Sequence, residues 1–142
     1  MLRSTCIGLA IVLGLGGLAN GVFMLVSPEA WYFAVPGVTT TGAFNQHFIR
    51  DIGLIYLLIG AGLLIGAALP HLRVLLWAAT ATWLSGHALF HFWEVAVGIC
   101  SASAIPRDFP AVTLPAIATT LLALWAAYEG RTEGRPAVAA SR

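Results

Sequence analysis

The sequence predicts an all-α membrane protein, a bundle of four transmembrane helices, and two observations support this fold class. First, 59% of the 142 residues are hydrophobic and only 9% are charged, whereas charged residues make up about 25% of an ordinary soluble domain. Second, the apolar residues form four stretches of roughly the 20 residues needed to span a bilayer. These stretches cover residues 4–26, 47–69, 74–99 and 110–128.

The first stretch is predicted to be an uncleaved membrane helix. Arg3 precedes it, and Gly17-Leu18-Ala19 resembles the small-residue site at which a signal peptide is cleaved. The apolar run nevertheless continues to Val26, which is longer than the usual apolar core of a signal peptide. We therefore expect this segment to remain in the protein as the first span.

Arginine positions predict the orientation of the bundle. Four spans place both chain termini on the same side of the membrane, and cytoplasmic segments carry an excess of basic residues. Only Arg107 lies in a loop on the opposite side. The N and C termini are therefore predicted to be cytoplasmic, on the side that carries Arg3, Arg73, Arg131, Arg135 and Arg142.

The chain is predicted to form one membrane domain, residues 1–130, followed by a disordered cytoplasmic tail, residues 131–142, that is rich in Gly, Pro, Ala and Arg. Two GxxxG pairs, Gly17/Gly21 and Gly62/Gly66, permit close approach of helix backbones in lipid. We expect these glycines to pack helices within the monomer, with a homodimer seam as the alternative interpretation.

Polar residues interrupt the second and third stretches. His87, His91 and Glu94 lie at i, i+4 and i+7, and His47 and Asp51 lie at i and i+4, so each set follows one helix face. At a rise of 1.5 Å per residue, both sets lie within about 5 to 18 Å of the outer helix ends. Because a short turn joins the two spans, an antiparallel hairpin should bring the two polar faces together.

Imidazole and carboxylate groups at one level predict a metal site, because they are the usual ligands of zinc, copper and non-haem iron. Arg50 and Asn20 are predicted to contact these ligands without binding the metal themselves. Asn45 is predicted to cap the second helix. The predicted ligands are His47, Asp51, His87, His91 and Glu94.

Two other functions remain open on the sequence. One histidine from each of spans two and three is compatible with a b-type haem between aromatic walls. Alternatively, the chain is a non-catalytic membrane subunit whose polar layer locks helices or docks a membrane protein partner. No reaction is assigned, and the net charge of +1 without a basic stripe excludes nucleic acid as a partner.

The segment at residues 27–46 is predicted to lie outside, above the polar site. It contains Trp31, Tyr32 and Phe33, aromatic residues typical of the membrane interface, and no basic residue. We expect it either to cover the site or admit a substrate from the lipid phase, or to act as an ordinary interfacial anchor.

Three stretches of the sequence carry a resemblance. The runs "AWYFAVPGV", "TGAFNQHFIRDIG" and "SGHALFHFWE" resemble those of small four-span bacterial integral membrane proteins of unassigned function. The resemblance covers the first three spans. It implies a multi-pass protein of the bacterial inner membrane and implies no activity.

Overall fold

The computed structural model describes residues 1–133, and the elements within them are all helical, which confirms the all-α prediction. Four long helices are joined by short helical turns. In chain order the elements are α1 (Leu2–Val26), α2 (Pro28–Ala34), a 3₁₀ turn (Val38–Thr40), α3 (Gln46–Ala68), α4 (Pro70–Ala96), α5 (Ala104–Asp108), a π-helical turn (Phe109–Thr113) and α6 (Leu114–Glu133).

Three helical segments of the described chain are long and apolar enough to cross a membrane: Leu2–Val26, Gln46–Ala68 and Ala104–Thr132. The last of these joins α5, the π-helical turn and α6, so it begins before the predicted stretch at 110–128. Helix α4 has 27 residues but carries more polar side chains. Of the tail predicted from residue 131, the first three residues continue α6, and residues 134–142 lie outside the described residues.

Local signals explain where α3 and α4 begin. The Oδ1 atom of Asn45 accepts hydrogen bonds from the backbone N–H groups of His47 and Phe48, both at 3.1 Å, which confirms the predicted N-cap. Only Leu69 separates α3 from α4, and Pro70 occupies the first turn of α4, where its missing N–H costs no hydrogen bond. The two helices therefore form an antiparallel hairpin.

Glycines allow α1 and α3 to pack backbone to backbone. A Cβ atom added to Gly60 would lie 2.7 Å from the carbonyl oxygen of Gly14, and one added to Gly21 would lie 2.7 Å from that of Gly53. Of the predicted GxxxG pairs, the one that includes Gly21 faces α3, and the other faces α4. Both pairs thus pack helices within the monomer.

The long helices pack in the order α1, α3, α4 and α6 through their main interhelical contacts, and α1 also contacts α6. Trp77 of α4 is fully buried, and its indole Nε1 donates to the carbonyl oxygen of Leu63 on α3 at 3.1 Å. On its other side it packs against Trp125 of α6, with ring centroids 6.0 Å apart. Trp77 therefore connects three helices through one side chain.

A buried arginine joins the same helices near the chain termini. Arg73 is 4% exposed, and it donates to the carbonyl oxygens of Gly66 and Ala67 and to the carboxylate of Glu129. Its guanidinium also lies 5.5 Å from the ring centre of Trp77. We call this side of the bundle the termini end, and the opposite side, which carries α2 and α5, the loop end.

Candidate functional site

The candidate site is a polar cluster at the loop end, centred on Asp108. The Nδ1 atom of His91 lies 3.1 Å from Oδ2 of Asp108. Arg107 donates to both carboxylate oxygens, from Nε to Oδ1 at 2.6 Å and from Nη2 to Oδ2 at 3.0 Å. Only 11% of the Asp108 side chain is exposed. Its charge is therefore balanced by a bidentate guanidinium, and its Oδ2 atom also contacts an imidazole from another helix.

The chain reversal after α4 brings Asp108 over His91. The carbonyl oxygen of Glu94 accepts from the N–H groups of Ile99 and Cys100, at 2.9 and 3.1 Å, which closes the C-terminus of α4. Gly98 adopts φ +80° in this turn, a conformation that costs glycine little. The following short helix α5 then returns along the end of α4.

The loop between α2 and α3 reaches this cluster. Gly37 has φ +86°, and a Cβ atom there would overlap the guanidinium of Arg107, so the backbone of the loop lies directly on the arginine. Two hydrogen bonds from α2 hold the loop in place. Trp31 Nε1 donates to Asn20 Oδ1 of α1 at 2.9 Å, which fixes α2, and Tyr32 Oη donates to the Gly42 carbonyl at 2.7 Å, which ties the loop to α2. This geometry supports the interpretation of the segment as a cover.

A second imidazole adjoins the cluster. The rings of His87 and His91 meet edge to face with centroids 4.7 Å apart, and Trp83 stacks on His87 at 5.1 Å. His87 is half-buried. Its other side borders a wide-open concavity of about 630 Å³ that Gly86 and Phe90 also line.

His47 and Asp51 form a separate pair on α3. Their Nε2 and Oδ2 atoms are 3.4 Å apart, and the side chains are 87% and 56% exposed. Arg50, between them, donates to the carbonyl oxygen of Leu25 at 3.2 Å and contacts Gln46. Arg50 therefore ties α3 to the end of α1, and its hydrogen bonds within residues 1–133 involve no carboxylate.

The remaining predicted residues have different surroundings. The carboxylate of Glu94 is half-buried and makes no hydrogen bond or ion pair with residues 1–133. Asn20 accepts a hydrogen bond from Trp31 of α2 and also lies 3.6 Å from the sulfur of Met24. Within the described chain no group of three or more His, Cys, Asp or Glu residues is placed to hold a metal ion. The five-ligand metal site and the haem site stay predictions.

No family model, curated protein or solved structure matches this chain. The resemblance to small four-span bacterial proteins accordingly stands on its three sequence runs. Because a fold alone does not define a function, any function of this chain has to follow from the residues of the site.

Sequence reasoning missed Asp108 as the partner of His91. The signal was present in "IPRDFP", residues 105–110, where an acid beside a base follows the third span in the predicted outer loop. A loop of this length allows the chain to fold back onto the helix it has just left. A charged pair in such a loop is therefore a candidate partner for polar residues in the last turns of the preceding helix.

Proposed function

We propose that this chain is a four-span membrane protein that acts as a non-catalytic membrane subunit. Its polar cluster fastens the outer ends of the helices to the loop at residues 35–45, which we call the covering loop. The observation that carries this proposal is the arrangement around Asp108. Its carboxylate joins α4 through His91, and its partner Arg107 is covered by Gly37 of the long loop. One acidic side chain thus connects three segments that are distant in sequence.

The fourth span in this proposal is α4. Its 27 residues give about 40 Å at 1.5 Å per residue, enough to cross a hydrocarbon core of about 30 Å. It contacts α6 near the termini, through Arg73 with Glu129, and near the middle of α4, through Ser85 with Thr120. A helix packed in this way against a spanning neighbour lies at the same depth in the membrane.

Orientation and location follow from charge. The termini end carries Arg3, Arg73 and Arg131, whereas the loop end carries Arg50 and Arg107. The excess of arginine supports a cytoplasmic termini end, which places the polar cluster in the outer leaflet. The inner membrane of a bacterium is the location that the resemblance implies.

The energetics favour a fastening role. Interhelical hydrogen bonds in membranes average about 0.6 kcal/mol, so no single contact holds the loop end together. An ionised group left unpaired in lipid costs considerably more. Within residues 1–133, every fully buried side-chain nitrogen or oxygen atom has a hydrogen-bond partner. Many small contacts of this kind are what a structural polar layer requires, and the half-buried carboxylate of Glu94 is not part of them.

Asp108→Asn is the variant that tests this proposal, and Asp51→Asn is its matched control. Asn retains the size and hydrogen-bonding capacity of Asp but removes the negative charge of the carboxylate that Arg107 and His91 both contact. We expect Asp108→Asn to lower the thermal unfolding midpoint in detergent and to speed proteolysis within residues 35–45. Asp51→Asn, at a side chain 56% exposed, should change neither. Equal effects of the two variants would refute a fastening role for Asp108.

A further inference from the structure

We propose that His87 and His91 together bind a divalent transition metal ion, of which zinc is the representative probe. This inference concerns a ligand and is independent of the fastening role, which requires no metal. The two histidines are one helical turn apart on α4, the spacing at which paired imidazoles on a helix chelate a metal. Their rings are already in contact, with centroids 4.7 Å apart.

The carboxylate of Asp108 prepares His91 for this role. Its Oδ2 atom lies 3.1 Å from Nδ1 of His91, so the Nδ1 position carries the proton and Nε2 is left with a free lone pair. A carboxylate or carbonyl bound to the second ring nitrogen is the usual companion of a metal-bound histidine, since it fixes the tautomer and the ring orientation. Arg107 in turn holds the carboxylate from both sides.

The imidazole of His87 is held from the opposite side. Trp83 stacks on its ring with an interplanar angle of 20°, which restricts the ring without occupying a nitrogen. The concavity beside it is open, and a Cβ atom added to Gly86 would meet nothing within 4 Å. The described chain therefore leaves this face of the helix free for an exogenous ligand, which in the proposed membrane orientation enters from the outer surface.

The described chain supplies two ligands to this site, since no group of three metal-binding side chains occurs in residues 1–133. Zinc sites with an open position complete their coordination with water. Two imidazoles with exogenous ligands make a site of lower affinity than a closed structural zinc site. Reversible exchange of the ion is the behaviour expected of it.

Calorimetric titration of the purified protein in detergent with zinc, before and after chelator treatment, tests the proposal. His87→Gln and His91→Gln should each abolish measurable binding, and His47→Gln, the control at the exposed His47–Asp51 pair on α3, should leave it unchanged. Asp108→Asn should weaken binding by about 10- to 100-fold, the usual effect of removing a carboxylate that orients a ligand. Unfolding midpoints without metal establish that each variant is folded.

Any of four results would overturn the proposal. If the wild-type protein does not bind zinc, the site does not exist. The same follows if His87→Gln binds zinc as well as wild type does. That variant is a fair test because His87 makes only ring contacts, so its loss should leave the fold intact. If binding disappears in His47→Gln instead, the ion lies at the exposed pair on α3. A haem absorbance band in the purified protein that is lost in His87→Gln would assign the site to haem.

Discussion

Arg73 donates from Nη1 to Oε2 of Glu129 at 3.1 Å, and this ion pair joins α4 to α6 at the termini end. Only 5% of the arginine side chain and 19% of the glutamate side chain are exposed. The rest of the guanidinium is occupied by the carbonyl oxygens of Gly66 and Ala67. The positive charge is thus enclosed by protein and depends on one carboxylate.

Removing that carboxylate should destabilise the protein. Loss of one partner of a buried ion pair costs about 3 to 5 kcal/mol, and we expect Glu129→Ala to lie near the lower value because its side chain is partly exposed. Arg131→Ala, two residues away at an exposed position, is the control. The measurement is the free energy of unfolding from denaturant titration; a loss no larger than that of the control would show that the pair contributes little.

The double variant Arg73→Met/Glu129→Leu provides a separate test of the same pair. Replacing a buried ion pair with apolar residues of similar volume is often neutral or stabilising. We expect the double variant to be more stable than Glu129→Ala. If it is less stable, the contacts of Arg73 with the backbone and with Trp77 contribute more than the ion pair does.

The glycine seam between α1 and α3 should tolerate no added methyl group. Gly60→Ala would place a Cβ atom 2.7 Å from Gly14 O and from Leu18 N, so the helices must separate, at a cost of about 1 to 3 kcal/mol. Gly16→Ala on the same helix pair meets nothing within 4 Å and should be neutral or slightly stabilising, since alanine favours helix. Comparable unfolding free energies for the two variants would disprove the seam.

The covering loop should loosen when the contact between the preceding helix, α2, and α1 is removed. Trp31→Phe keeps an aromatic ring but deletes the N–H that donates to Asn20 Oδ1 at 2.9 Å. We expect proteolysis within residues 35–45 to accelerate several-fold, while Phe33→Leu, at a side chain 69% exposed, has no such effect. Identical cleavage rates in wild type and Trp31→Phe would mean that other contacts alone fix the loop.

Single-cysteine labelling tests the orientation. In a chain with Cys6 and Cys100 replaced by serine, Ser101→Cys and Thr132→Cys introduce exposed thiols at the loop end and at the termini end. An impermeant maleimide added to intact spheroplasts should label the first and reach the second only after permeabilisation. The reverse pattern would place the termini outside and the polar cluster at the cytoplasmic face.

The helices were predictable because each depends on nearby residues. Apolar length predicted α1 and α3 to within two residues of their ends, and Asn45 caps α3 as its side chain and position indicated. The fourth span was predicted at residues 110–128, whereas α6 covers Leu114–Glu133. The residues before it, which include Pro106 and Pro110, form α5 and a π-helical turn.

Side-chain partners were much less predictable, because helix periodicity defines a face but not what that face meets. His47 and Asp51 share a face as predicted, and they pair with each other. His91 lies on the predicted face but contacts Asp108, the last residue of α5. The sequence analysis used Arg73 only to predict orientation. Its neighbours along the chain do not indicate that it is buried or that it pairs with Glu129.

The packing order of the helices has a consequence for biosynthesis. Each long helix packs mainly on the one that precedes it in the chain: α3 on α1, α4 on α3 and α6 on α4. In the proposed four-span arrangement, each segment that enters the bilayer after α1 during translation therefore meets its principal neighbour already in place. Assembly can proceed one helix at a time from the N-terminus, and only α1 has to wait unpaired for a partner that the ribosome has yet to make.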